Sequence, residues 1–111
     1  MTPGEVSVQA LAAALPSGAA VIDVREPDEY RAAHIPGAQL MPLSSVPARV
    51  DELPGDRAVY VVCAVGGRSF RAAEYLAALG VEAYNVAGGT QDWLSAGFPV
   101  VTGDEPGELS A

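Results

Sequence analysis

The sequence predicts an α/β fold in which a parallel sheet is covered by helices on both faces. Three observations carry that expectation. Short apolar, β-branched runs alternate with segments of helical periodicity. The runs are continuously apolar, as in strands buried on both sides. Proline and glycine clusters punctuate the junctions. The chain has 111 residues, half of them hydrophobic, a size for one globular domain with a modest core.

Residues 6–8 fit a short edge strand, and Ser7 is alternatively the cap of a helix over 8–15 that Pro16-Ser17-Gly18 ends. Ala20-Val21-Ile22-Asp23-Val24 is a buried strand. Residues 27–33 fit a short helix, with Pro27 in its first turn and Asp28 and Glu29 near its positive end. Pro36-Gly37 is a turn, 38–41 a brief strand stopped by Pro42, and Ser44 or Ser45 the cap of a helix through residue 50. Pro54-Gly55-Asp56 is another turn. Residues 58–62 are the clearest strand and 68–79 the clearest helix, with Gly80 placed for its C-cap. Residues 82–86 form the last strand. Gly88-Gly89-Thr90 leads into a final helix over 91–96, ended by Gly97. Residues 1–101 are expected to form a single domain. Residues 102–111, rich in glycine and acids, are expected to be a flexible acidic tail.

Formal net charge is −8 and every cation is an arginine, so neither nucleic acid nor an anionic membrane is an expected partner. One cysteine forbids an internal disulfide and a multi-cysteine metal site, and with a single histidine no metal or other cofactor is implied. The N-terminal residues lack a basic region followed by an apolar core, and no apolar stretch approaches bilayer-spanning length; a cytoplasmic location is expected.

The single thiol is the informative residue. Cys63 stands where the strand 58–62 runs into Ala64-Val65-Gly66-Gly67-Arg68-Ser69 and then a helix. A thiol at a helix N-terminus faces unpaired backbone N–H groups and the positive end of the helix dipole, which favour thiolate over thiol. The plainer alternative is a small buried apolar residue. Position favours the reactive reading, because open α/β sheets bind ligands at the carboxyl ends of their strands. Gly66 and Gly67 allow a loop whose N–H groups point inward as an anion-binding nest, or simply a left-handed turn. Arg68 supplies a cation for an anionic substrate, a donor that fixes the loop, or a surface ion pair. Ser69 caps the helix or donates to the bound group. Two thiol chemistries suit such a loop: phosphoryl transfer through a cysteinyl phosphate, and sulfur transfer through a persulfide. Cysteine phosphatases place five residues between Cys and Arg; here four intervene, and the tighter loop suits the smaller group.

These blocks together resemble the rhodanese family of single-domain sulfurtransferases over residues 6–100. Val21-Ile22-Asp23-Val24-Arg25-Glu26 is similar to the family's early strand ending in Asp-x-Arg, and Glu29-Tyr30 continues it. His34-Ile35-Pro36-Gly37-Ala38 resembles its His-Ile-Pro-Gly-Ala turn, and residues 63–69 resemble its active-site loop in the form with six residues from Cys63 to Arg68. Val86-Ala87-Gly88-Gly89, Trp93 and Ala96-Gly97-Phe98-Pro99-Val100 resemble its C-terminal signature. The resemblance implies a three-layer α/β/α fold with a central five-stranded parallel sheet. It implies that Cys63 takes a sulfane sulfur from thiosulfate or a persulfide donor and passes it to a thiophilic acceptor, a thiol or a protein. Backbone N–H groups of Ala64, Val65, Gly66, Gly67, Arg68 and Ser69 would hold the persulfide, and Arg68 would attract or orient an anionic donor.

Asp23 is expected to accept backbone hydrogen bonds at its strand end, and Arg25 to pair with a carboxylate or line the pocket. His34 and Trp93 are expected to be structural. Ala64 and Val65 depart from the basic or polar residues often found after the cysteine. With the net negative charge, this points to a protein or low-molecular-weight persulfide as donor rather than thiosulfate. The competing readings are a non-catalytic rhodanese-like binding or sensing module, and a cysteine phosphatase or arsenate reductase on the same fold. Retention of Cys63, Gly66, Arg68 and Ser69 argues against the first, and the Cys-to-Arg spacing against the second.

Overall fold

A computed structural model describes residues 3–108. Five strands, β1 (Gly4–Val6), β2 (Ala20–Asp23), β3 (Gln39–Leu40), β4 (Val59–Val62) and β5 (Ala83–Val86), form one sheet in the order β1-β5-β4-β2-β3. Every pairing is parallel. The sheet, with helices on both faces, is the fold the sequence predicts. Four α-helices accompany it: α1 (Val8–Ala14), α2 (Pro27–Ala32), α3 (Gly67–Ala78) and α4 (Gly89–Ser95).

The two-residue period of a strand divides its apolar side chains between two cores. Ile22, Val59 and Val61 face α3, where Ala72, Ala73 and Leu76 meet them. Val21 and Val62 face the opposite layer, with Leu11 of α1, Tyr30 of α2 and Trp93 of α4. Small residues on α3 let that helix lie close to the sheet, which explains how an alanine-rich, aromatic-poor chain closes its core. No helix among the described residues is long and apolar enough to cross a membrane.

Three details differ from the sequence expectations. The first strand is 4–6, so Ser7 is free to act as the cap of α1, accepting Ala10 N–H at 3.1 Å. The helix expected after Ser44 or Ser45 is instead two 3₁₀ segments, Leu43–Ser45 and Pro47–Glu52. Pro47 offers no N–H for an α-helical bond. Its neighbours close three-residue turns, such as Val46 N–H to Leu43 O and Arg49 N–H to Val46 O, and the Ser45 hydroxyl donates back to Pro42 O. Finally, the segment expected to be a flexible tail from Thr102 is tied to the body through Pro106. His34 and Val101 exchange backbone hydrogen bonds, Gly103 N–H donates to Arg31 O, and Gly37 N–H donates to Pro106 O. The His34 ring, fully buried and stacked on Tyr30, lies with Nε2 2.9 Å from Glu105 O. Backbone groups that the sheet leaves unused around α2 thereby find partners. The last three residues of that expected tail lie outside the described residues.

Candidate active site

From β2 the chain moves to β3 on one side, and from β4 to β5 on the other. The crevice between the carboxyl ends of β2 and β4 is therefore a topological switch point, the preferred ligand position of an open parallel sheet. Two loops flank it. One follows β2 and carries Asp23 and Arg25; the other follows β4 and carries Cys63.

Cys63 is 1% exposed, at the floor of its loop. Two amides converge on its sulfur, Gly66 N–H at 3.2 Å and Ser69 N–H at 3.3 Å, and the Ser69 hydroxyl oxygen stands 3.3 Å from it. Burial pushes the thiol pKa up. The Ser69 hydroxyl when it is turned to the sulfur, followed by the amides of Ser69, Gly66 and Val65, outweighs burial and holds it below its ordinary value. The sulfur also sits at the N-terminus of the twelve-residue α3, where the helix dipole adds to the same field. The arrangement favours the ionised form of the sulfur over the thiol. Of the six amides expected to face it, Gly66 and Ser69 hydrogen-bond the sulfur and Val65 adds to the field, whereas Ala64, Gly67 and Arg68 make no such bond.

The two loop glycines are not equivalent. Gly66 has φ of +113°, a conformation that L side chains rarely adopt, and this turn aims its amide at the sulfur. Gly67 has no positive φ and no heavy atom near its would-be Cβ, so neither backbone nor space demands glycine there.

The loop is clamped from below by the start of α4. Thr90 donates to Cys63 O through its N–H (2.9 Å) and its hydroxyl (3.1 Å), and Gln91 N–H donates to Ala64 O. A Cβ on Gly89 would lie 2.4 Å from Cys63 O, so only glycine permits this approach.

Arg68 is bound at both ends of its fork: Nη1 and Nη2 donate to the two oxygens of Glu29, at 2.8 and 3.0 Å. That ion pair, ahead of the opposing cost of burial, holds the Glu29 carboxyl down at about 2. It ties the loop to α2 across the crevice. Asp23 and Arg25 form a closed buried pair. Arg25 N–H and Nε donate to Asp23 Oδ1, and Nη2 donates to Asp23 Oδ2 (2.8 Å) and Ala33 O (2.7 Å). Arg25 is 6% exposed, with its Nε and Nη2 donors taken by Asp23 and Ala33 O. Trp93 is fully buried, and its Nε1–H donates to Pro99 O.

Four contributors escape a reading of the loop alone: Glu29, Gly89, Thr90 and Asn85. Asn85, on β5, accepts the Ser69 hydroxyl at 2.6 Å. A polar residue inside an otherwise apolar strand was the signal available for it. Among the described residues, no cluster of His, Cys, Asp or Glu is arranged to hold a metal ion.

Comparison with known proteins agrees with this geometry. The family model of the rhodanese-like domain matches residues 7–96. An uncharacterised Bacillus subtilis protein, YqhL, is 45% identical over 76 residues, covering 68% of this chain and 60% of its own length. A sulfurtransferase from Allochromatium vinosum is 37% identical over 82 residues, covering 73% of this chain and 77% of its own. The crystal structure of a rhodanese-related protein from Thermoplasma volcanium superposes with a TM-score of 0.83 at 34% identity, covering 88% of this chain and 97% of that one. The chain thus spans less than two thirds of the length of YqhL.

Proposed function

Because this chain belongs to the rhodanese-like domain family, a family of sulfurtransferase type, we propose that it transfers sulfane sulfur through a persulfide on Cys63. The observation that carries this reading is the convergence of the Gly66 and Ser69 amides on one sulfur, with the Ser69 hydroxyl in reach of it.

The Cys63 thiolate attacks the outer sulfur of thiosulfate or of a persulfide donor. A Cys63–S bond forms, the donor's S–S bond breaks, and sulfite (or the donor thiolate) leaves with the electron pair. The negative charge passes to the terminal sulfur of the persulfide. The acceptor, cyanide in an assay or a thiol or protein nucleophile otherwise, attacks that terminal sulfur and returns Cys63 as thiolate. The Gly66 and Ser69 amides face the sulfur from the outset, so little backbone reorganisation accompanies either step.

Ala64, Val65 and Gly67 shape the loop wall, while Gly66 and Ser69 hold the charge. Arg68 acts first as a brace through Glu29. A guanidinium engaged in this way attracts thiosulfate weakly, and the overall charge of −8 slows the encounter of any anion. The natural donor is accordingly a protein or low-molecular-weight persulfide, presented as a terminal sulfur small enough to reach the loop floor. Asp23 and Arg25 support the crevice from the β2 side. Neither nucleic acid nor a membrane surface takes part, and the site of action is the cytoplasm.

Incubation with a persulfide donor or thiosulfate is expected to add the mass of one sulfur to Cys63, and cyanide to discharge it as thiocyanate. Cys63→Ser is expected to lose at least ~10³-fold in transfer rate while keeping its melting temperature. Absence of the mass gain with every donor overturns the proposal, as does a Cys63→Ser protein of undiminished rate.

A further inference from the structure

A line of hydrogen bonds runs from the sulfur to the edge of the sheet. The Ser69 hydroxyl lies 3.3 Å from Cys63 Sγ and 2.6 Å from Asn85 Oδ1. Asn85 Nδ2 donates to Glu5 Oε2 at 2.9 Å. Ser69 and Asn85 are buried, at 0% and 2% exposure, while Glu5 lies exposed on β1 directly beside Asn85 in register.

A serine hydroxyl has one proton. It can be given to Asn85 Oδ1 or to the sulfur, not to both. A carboxylate only accepts, so Glu5 takes the Asn85 amide N–H and turns Oδ1 toward Ser69. The short bond to Oδ1 then draws the hydroxyl proton away from the sulfur. In that arrangement Ser69 Oγ presents a lone pair to Cys63, which suits a thiol S–H and not a thiolate. For the hydroxyl to donate to an ionised sulfur, the Asn85 amide must turn so that Nδ2 faces Ser69, and Glu5 must release it to water.

We propose that Glu5 and Asn85 are positioning residues that set the direction of the Ser69 hydroxyl and so govern how readily Cys63 ionises. Ionised Glu5 biases the line toward the thiol, and loading of the sulfur reverses it. The proposal deepens the sulfurtransferase reading, on which its functional consequence rests; its test reads only the ionisation of Cys63 and requires no sulfur transfer. The other charged groups on the elements around the loop are Arg68, Arg71 and Glu74 on α3, Asp28, Glu29 and Arg31 on α2, the Asp23–Arg25 pair after β2 and Asp92 on α4. All are unchanged in the variants below.

The experiment is the rate of Cys63 alkylation by iodoacetamide as a function of pH. Glu5→Gln, whose side chain satisfies Asn85 in either orientation, is expected to lower the midpoint by about half a pH unit, about threefold faster alkylation below it. In an Asn85→Ala background the same substitution is expected to leave the midpoint unmoved. A Glu5→Gln shift that persists in that background is a through-space charge effect and overturns the proposal, as does no shift at all. Where Asn85→Ala fails to fold, salt decides. At 1 M ionic strength, with a screening length of about 3 Å, a hydrogen-bonded relay keeps the Glu5→Gln shift and a through-space effect loses it.

Discussion

The loops that leave β2 and β4 begin side by side at the same crevice, and each carries a reactive side chain at its strand end. They spend their polar groups in opposite ways. After β2, Asp23 and Arg25 pair within a three-residue span, and Arg25 Nη2 also donates to Ala33 O. After β4, two amides are aimed at a single sulfur that carries at most one charge, and a hydroxyl stands within reach of it. The first arrangement cancels charge within the pair. The second concentrates donors where charge develops, which is what a nucleophile needs. Position at a switch point nominates both loops; only the direction of their hydrogen bonds separates scaffold from chemistry.

The largest effect in stability should come from breaking the β2 loop. Asp23→Ala leaves a buried guanidinium without its counter-charge and is expected to cost about 3–5 kcal/mol in urea unfolding. The Cys63 alkylation midpoint, read on whatever fraction folds, should move little, because Asp23 donates nothing to the cradle. A large shift would merge the two loops into one site. Gly66→Ala is the complementary break. No atom approaches its Cβ closer than 3.5 Å, so the cost is conformational, about 1–2 kcal/mol from the left-handed φ. Its midpoint should rise, since the Gly66 amide is one of the donors to the sulfur. Unchanged stability and an unchanged midpoint would deny that this turn aims the amide.

The smallest effect belongs to the link between the loops. Glu29 has its carboxyl depressed from 4.5 to about 2 on folding, so its contribution is present above the unfolded value and is lost as pH falls through that window. The pair is partly solvent-exposed, which limits it to roughly 0.2–1 kcal/mol. Urea midpoints of Glu29→Gln and the parent protein should therefore differ at pH 6 and converge toward pH 2. A gap that persists at pH 2 would mean that packing, not charge, carries the link.

Much of this architecture was legible from residue order. The continuous runs at 20–24 and 58–62 announce strands buried on both faces, and the helix after Gly67 follows from its apolar spacing. Cys63 stands out as the lone thiol between such a strand and helix. What local pattern could not supply were partners distant in the chain. Glu29 lies 39 residues from Arg68, and Asn85 lies 16 from Ser69. Nor could it show that Arg25 turns inward, or that residues beyond Val101 find backbone groups around His34 to bind. The helix misread after Ser44 has a local cause, since Pro47 favours tighter turns there.

Sequence by itself determined the layers, the candidate thiol and the loop that follows it, because periodicity, β-branching and left-handed glycine geometry act over a few neighbouring residues. Tertiary structure alone decided which donors reach the sulfur, which arginine is spent on a carboxylate, and how the edge strand enters the site. Hydrogen-bond direction and charge pairing depend on which residues the sheet brings within about 3 Å, and that is a property of the assembled chain rather than of any segment.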